Sequence, residues 1–395
     1  MTPMDDLEKL RGKLDQVDRR LLEVLGDRLK TVAEIARVKA QGLSFLRDHD
    51  RESELLERID GWARELGLDE FRTHEIYREI IAMSLKAQEE ALLKREQVER
   101  SARGALRVAF QGIDGSYSQL AARKYFAVRS EGMEFVGTDT FAEALAMAES
   151  GEVGYAFLPV ENTTAGSINQ TYDLLRQTAL AIVGEEVLHV RHHLLGLAGA
   201  REENLRRVLS HPQALAQCTR FLGSLEDVEL VAFVDTAASA KEVSDSDDLS
   251  QAAIASAEAG EMYGLTVIRE AIADQEENWT RFVVISGLEI ELDPRIPAKT
   301  SLVFTTPHRE GALAHCLQLL AKHSVNLTKL ESRPVPRRPW EYLFYADIEG
   351  SVESDNAALA IAELRRECPY LRVLGSYPAR TTMAGAVDRY SEDPG

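Results

Sequence analysis

Residues 26–41 read GDRLKTVAEIARVKAQ, and this stretch decides how the first hundred residues fold. It continues an apolar stripe that begins at Leu7 and runs through Leu10, Leu14, Val17, Leu21 and Val24 to Val32 and Ile35. Alternating steps of three and four residues predict one long amphipathic helix, 6–41. At about 100° per residue, Arg28 and Lys39 point within roughly 20° of each other, about three turns apart. Leu14, Leu21, Val32 and Ile35 share that heading, so both cations project from the oily face. An unpaired buried charge is costly even after relaxation. Something anionic must compensate it, either a protein carboxylate or an acidic ligand. Arg11 points roughly 100° away on the same helix and cannot easily reach that pocket if the helix is straight. It suits the identical pocket of a partner chain, which favours a dimer that exchanges first helices.

Working outward, residues 1–100 carry almost only helix signals. A second helix is expected from near Asp48 and a third over 69–100. The segment RDHDRESELL sets Asp48, Arg51 and Glu52 within one turn, and Ser84 and Gln88, four apart, share a face. Together these cations, carboxylates, hydroxyl and amide suit a small dianion bearing a hydroxyl and an ether oxygen. The alternative is a helical hairpin whose charges pair on its surface.

The chain of 395 residues is too long for one core, and its net charge of −19 argues against a nucleic-acid partner. Cys218, Cys316 and Cys368 lie far apart in sequence, with no CxxC pair and no metal-ligand spacing, so neither a disulfide framework nor a metal is expected. No signal sequence and no membrane-spanning run is seen, and a cytoplasmic location is expected. No cofactor is implied.

The texture changes at Ala105. Strand-like and helical runs alternate from 105 to 287, predicting an α/β region of two lobes with mostly parallel sheets and a cleft between them. Polar loops follow the strands: QGIDGSYS, PVENTTAGSIN, LSHPQALAQC, VDTAASA and, before the run VVISG, NWTRF. Strand ends that feed polar loops and helix N-termini form an anion-binding arrangement. GIDGSYS lacks the Gly-Lys-Ser/Thr of a Walker loop, and ENTTAGSIN lacks the Rossmann glycines. His211 has no nearby Ser-Asp partner, and such a histidine more often orients a loop. Residues 298–380 read β-α-β-β-α-β, and 381–395 read as a tail.

The helical segment resembles the all-helical chorismate mutases at the front of bifunctional P-proteins. Arg11, Arg28, Lys39, Asp48, Arg51, Glu52, Ser84 and Gln88 match individually. The resemblance implies a pericyclic rearrangement of chorismate to prephenate, with conformation and charge supplied by the protein. Arg28 and the partner's Arg11 would clamp the substrate carboxylates. Lys39 and Gln88 would hold the ether oxygen, and Asp48 and Glu52 would face the hydroxyl. Residues 105–287 resemble prephenate dehydratase through GSYS, ENTTAGSIN, SHPQALAQC, DTA and NWTRF, in that order. Ile113 departs from a usual proline and Thr163 from a usual serine. The resemblance implies a fold like a two-lobed periplasmic-type binding protein and loss of CO2 and the ring hydroxyl from prephenate. Thr280 would assist the leaving hydroxyl and Arg281 would bind a carboxylate. Asn162, Thr163, Ser210 and Gln217 would line the substrate, with His211 either beside them or purely structural.

REGALAHCLQLL and LTKLESRPV resemble the two signature pieces of the ACT regulatory domain. Gly311, Ala312 and Leu313 match the first, and Glu331, Ser332, Arg333 and Pro334 the second, while Glu310 departs from a usual proline. This implies phenylalanine as effector between paired ACT domains, and a homodimer or a higher oligomer. The expectation is therefore a multidomain chain: an all-α mutase domain over 1–100, an α/β dehydratase domain over 105–287 and an α+β ACT domain over 298–380. Two other readings stand beside it at this point. One is a dehydratase with an inactive mutase-like dimerisation segment. The other is an amino-acid-sensing binding protein without catalysis, against which Thr280-Arg281 argues.

Overall fold

The computed structural model describes residues 3–39, 49–77, 79–81, 83–84, 107–127, 133–287, 292, 296–335 and 341–380. The chain divides into two compact units, a helical one within 1–102 and a larger one spanning 103–292 and 297–381. Among the described residues, no helix is long and apolar enough to cross a membrane.

In the helical unit, α1 (Pro3–Lys39) lies close to its expected bounds, α2 (His49–Glu65) starts where expected, and helical backbone resumes at residue 70. The sequence LGLD explains the break. Gly67 takes a left-handed φ of 68° and lets the Leu68 amide reach back to the Ala63 carbonyl at 2.9 Å, which closes α2. Asp69 then accepts the Arg72 amide at 2.8 Å and caps the next helix. Among the described residues, Val32, Ile59, Ala63 and Ser84 are the buried ones of this unit. The N-terminal half of α1 is different: Leu10, Leu14, Val17, Leu21 and Val24 are 58–62 % exposed.

The larger unit holds three sheets. The first has the order β2-β1-β3-β11-β5, with a short β4 (Gly166–Ser167) beside β3. Its strands are β1 (Arg107–Gln111), β2 (Glu134–Thr138), β3 (Tyr155–Asn162), β5 (Ala181–His189) and β11 (Trp279–Ser286). The second has the order β10-β6-β9-β7-β8 and comprises β6 (His193–Gly196), β7 (Arg207–Ser210), β8 (Glu229–Ala232), β9 (Gln251–Ala255) and β10 (Thr266–Arg269). These are the two lobes. Their sheets are mixed rather than mostly parallel, because the chain crosses between lobes twice. It leaves lobe one after β5 and returns as β11, which runs antiparallel to both β3 and β5. The two crossovers are bonded to each other, Val190 amide to Asn278 carbonyl at 2.7 Å and Ile272 amide to His192 carbonyl at 2.9 Å.

The third sheet, order β13-β14-β12-β15, is built from β12 (Ala298–Thr305), β13 (Leu327–Pro334), β14 (Tyr342–Glu349) and β15 (Tyr370–Pro378). With helices Ala312–Lys322 and Asp355–Glu367 it completes the β-α-β-β-α-β order. Strand alternation gives this sheet two buried faces. Leu302, Phe304, Ala346 and Ile348 pack under the two helices, where Cys316 and Cys368 stand as free thiols with sulfurs 3.8 Å apart. Val303, Leu343, Tyr345 and Tyr377 face the other way and share one core with Val160, Leu158, Val283 and Ile285 of lobe one. The C-terminal module and the first lobe are therefore one packed body.

Candidate active sites

In the helical unit, Arg28 and Ser84 come together. The Arg28 guanidinium donates to the Ser84 hydroxyl and, at 3.4 Å, to the Ile80 carbonyl. Ser84 in turn donates to that same carbonyl at 2.6 Å. Arg28 is half-buried, and its partners among the described residues are neutral. Arg11 is exposed on the same helix. Lys39, Arg51 and Glu52 lie on described helical backbone, but their side chains, and Asp48 and Gln88 altogether, lie outside the described residues.

The second site lies at the hinge of the two lobes, and a bulge builds it. Along β3, Arg281 pairs with Glu161 and Phe282 with Pro159, leaving Val160 as an extra residue. Val160 and Glu161 both turn toward the C-terminal module, where Val160 joins the shared core and Glu161 meets Lys329 at 2.8 Å. Without the bulge, strict alternation would send Asn162 to that side too. With it, Asn162 faces Thr280, and its amide donates to the Thr280 hydroxyl oxygen at 2.9 Å. Both side chains are buried.

From this pair a chain of neutral polar groups crosses the hinge. Asn162 donates to the Asn278 side-chain oxygen at 2.8 Å, and Asn278 donates to the Gln217 oxygen at 3.0 Å. Gln217 donates to Thr164 and, at 3.4 Å, to Asn162. Its oxygen also meets His192 Nε2 at 3.0 Å, and His192 Nδ1 meets the Tyr117 hydroxyl at 3.0 Å. Burial pushes His192 down to about 4, against the raising effect of its bond to Gln217, so the ring is neutral at pH 7. Burial pushes Tyr117 up, so it stays protonated. Thr280 accepts from Asn162, and no acceptor among the described residues takes its own hydrogen. The arrangement can offer that hydrogen to a departing oxygen in an uncharged setting.

Asn162, Gln217 and Thr280 are thus brought together, and other expected residues are not. Arg281 lies on the opposite face of β11 from Thr280, as alternation requires. Its carboxylate partners are the protein's own, Glu185 and Asp347, each at 2.6 Å, and Glu161 at 3.9 Å. Ser210 is fully buried and donates to the Ile254 carbonyl at 2.6 Å, so it ties β7 to β9 instead of orienting a substrate. Thr163 binds the approach to β11, donating to the Glu277 carbonyl and accepting the Trp279 amide. His211 caps helix Pro212–Ala216 by accepting the Gln213 amide at 3.2 Å, the structural alternative. In the C-terminal module, Gly311 takes a φ of 71° at the start of helix Ala312–Lys322, which places Ala312 and Leu313 in its first turn. Lys329, Glu331 and Arg333 alternate on one face of β13. Glu331 accepts from Ser167 at 2.9 Å and Arg333 pairs with Asp173 at 2.7 Å, so these two side chains grip lobe one. Ser332 and Pro334 take the other face.

Sequence reading passed over Tyr117, Thr164, His192 and Asn278. Tyr117, Thr164 and Asn278 lie inside the polar motifs GSYS, ENTTAGSIN and NWTRF, and Asn278 stands two residues before Thr280, the spacing that puts side chains on one face of a strand. His192 lies on a crossover between two strands, where no periodicity marks it.

Known proteins match over the same regions. The chorismate mutase type II family matches residues 10–89, and the prephenate dehydratase family matches residues 108–289. The bifunctional chorismate mutase/prephenate dehydratase of Enterobacter agglomerans is 36 % identical over 383 residues, 97 % of this chain and 98 % of that protein. The Aquifex aeolicus protein of the same name is 32 % identical over 379 residues, covering 95 % and 98 %. Among solved structures, GqqA, described as a novel type of quorum quenching acylase, is 35 % identical with a TM-score of 0.62, covering 69 % of this chain and 98 % of that one. The prephenate dehydratase of Arthrobacter aurescens in complex with L-Phe is 28 % identical, also with a TM-score of 0.62, covering 69 % and 90 %. Both family matches fall on the units that carry the two polar sites, and the relatives match nearly end to end. The chain belongs to the bifunctional chorismate mutase/prephenate dehydratases, enzymes that rearrange chorismate to prephenate and convert prephenate to phenylpyruvate on the way to phenylalanine.

Proposed function

We propose that Thr280, held by Asn162, is the group that helps hydroxide leave prephenate. The overall change balances without a net proton: the dianion yields the phenylpyruvate anion, CO2 and hydroxide. As the ring carboxylate leaves as CO2, its bonding pair enters the ring, and the C–O bond breaks toward the hydroxyl. Aromatisation drives the step, so the protein has chiefly to stabilise the departing oxygen. A threonine hydroxyl is a weak acid, but the Asn162 amide hydrogen drawn into its oxygen polarises the O–H bond. The 2.9 Å contact between these two side chains is the observation that carries this reading. Gln217, Asn278 and His192 hold the pair in an uncharged environment, and this revises Arg281 from a substrate ligand to a structural partner. In the full-length enzyme, Thr280→Val should cut phenylpyruvate formation, followed by ultraviolet absorbance, at least about 100-fold and leave mutase turnover intact. A Thr280→Val enzyme that keeps its dehydratase rate would end the assignment.

For the mutase step, the proposal assigns one substrate carboxylate to Arg28 and the other to Arg11 of a second copy, with Lys39 and Gln88 at the ether oxygen and Asp48, Arg51, Glu52 and Ser84 around the ring hydroxyl. The exposed leucine stripe of α1 supports the second copy, since apolar patches of that size mark interfaces. For regulation, the proposal assigns phenylalanine to the C-terminal module, read as an ACT domain, with Gly311, Ala312, Leu313, Ser332 and Pro334 facing it. The L-Phe bound to the Arthrobacter dehydratase supports that effector. A cytoplasmic location fits both substrates.

A further inference from the structure

We propose that Asp347, in the C-terminal module, is a positioning residue for the dehydratase step and acts through Arg281 on Thr280. The inference rests on the Thr280 assignment above. Each nitrogen of the Arg281 guanidinium has its own partner: Nε holds Glu185 of β5 at 2.6 Å, Nη1 holds Asp347 of β14 at 2.6 Å and Nη2 holds the Tyr377 hydroxyl of β15 at 2.9 Å. Two of the three anchors therefore come from the C-terminal module. Those anchors are themselves held. The second Asp347 oxygen accepts from Ser301, and Ser301 and Tyr377 share a hydrogen bond of 2.6 Å. Lys299 spans both Glu185 oxygens at 3.0 and 3.1 Å, and the Arg380 amide adds a bond of 2.7 Å. Arg281, Lys299, Glu185 and Asp347 form a buried quartet of two cations and two carboxylates, and Glu161 lies at its edge, 3.9 Å from Arg281 and 2.8 Å from Lys329.

A buried quartet is a poor way to gain stability alone, because apolar residues of the same volume usually do as well or better. What it supplies is direction. A planar guanidinium fixed at three nitrogens leaves its strand little freedom to rotate or slide. Thr280 is the next residue along β11, and only Trp279 separates it from the end of that strand. The Arg281 fork is the charged clamp on β11 next to Thr280, and beyond it the strand end is held by neutral contacts, Asn162 to Thr280 and the Thr163 hydroxyl to the Trp279 amide. A displacement of about 1 Å in a reacting group can cost on the order of 100-fold in rate.

The test compares three full-length variants: Asp347→Asn, the charge-free pair Arg281→Met/Asp347→Leu, and Thr280→Val as reference. Asp347→Asn should lower kcat on prephenate about 10- to 100-fold, with KM within about twofold and mutase turnover unchanged. The same split in the charge-free pair, at an unchanged Tm, shows that position and not folding was lost. A folded Asp347→Asn or charge-free enzyme with full kcat overturns the proposal, and so does a loss carried by KM, which would move the cluster into substrate binding. If Asp347→Asn fails to fold, the charge-free pair alone decides, since it leaves no unpaired charge. A Thr280→Val enzyme that stays active removes the Thr280 assignment itself. A dead Thr280→Val beside a fully active Asp347→Asn removes only this inference.

Discussion

Arg28 in the helical unit and Arg281 in the α/β unit teach opposite lessons from similar sequence cues. Each is a cation set among apolar neighbours, and each invites an anion. Arg28 meets only a hydroxyl and a carbonyl among the described residues, so no described carboxylate answers its charge. Arg281 meets three carboxylates, two of them at 2.6 Å and Glu161 at 3.9 Å, and a phenol, so its charge is answered within the chain. The surrounding cores differ in the same sense. The α/β unit closes its own core, while half of the α1 stripe stands open to solvent at 58–62 %. One region leaves a half-buried cation and an apolar stripe unanswered among the described residues, and the other answers its buried cation from within.

The sharpest way to break that contrast is Arg28→Ala. If Arg28 serves a bound carboxylate, mutase kcat/KM should fall roughly 1,000-fold, about 4 kcal/mol, with dehydratase turnover in the same protein unchanged. A mutase rate within tenfold of the parent would make Arg28 another internally satisfied cation and erase the distinction.

Acid sharpens the contrast from the other side. Burial alone would raise the Glu185 carboxyl, but Arg281 and Lys299 outweigh it and hold it down to about 2. The folded value lies below the unfolded one, so the stabilisation is fully present above the ordinary carboxylate range and is lost as pH falls from about 4.5 toward 2. Its size is on the order of 3 kcal/mol. Urea unfolding of the parent and of Glu185→Gln should therefore differ most at neutral pH and converge as pH drops through this window. A gap that does not change with pH would mean that Glu185 is not the charged centre of the quartet.

The same pair of arginines marks how far sequence reading reaches. The α1 stripe, the return from strand to helix after Ala105 and the final β-α-β-β-α-β order are local periodicities, and each element appears close to where its period places it. Asn162, Gln217 and Thr280 were legible because they sit in short polar motifs at strand ends. Arg281 stands in the same motif, and alternation turns it away from Thr280, but the partner it meets there, Asp347, lies 66 residues away on another sheet. Asn162 faces Thr280 only because Val160 is bulged, and no composition signal marks that extra residue. Ser210 looked like a cleft residue because it ends a strand, but a neighbouring carbonyl claims its hydroxyl. Local patterns were readable, and facing relations between distant strands were not.

The smallest expected effect, and the one that separates the two regions by sign, comes from two glycines. Gly26 lies in the interior of α1, and a Cβ added there would meet nothing within 4 Å. Alanine should then raise stability through backbone entropy alone, by up to ~1 kcal/mol. Gly375 lies on β15, where an added Cβ would come within 2.1 Å of the Ile182 carbonyl oxygen and 2.8 Å of its nitrogen. Both are backbone atoms of β5, so no side chain can swing aside. Gly375→Ala must push β15 away from β5, at a cost of about 1–3 kcal/mol. The displaced segment carries Tyr377, two residues on, away from Arg281, so the dehydratase rate should fall with the Tm while the mutase rate holds. Thermal unfolding and both assays on the two variants read this directly. A Gly375→Ala enzyme with parental Tm would mean that β15 and β5 are not held in contact, and the α/β unit would lose its claim to be the self-completed half of the molecule.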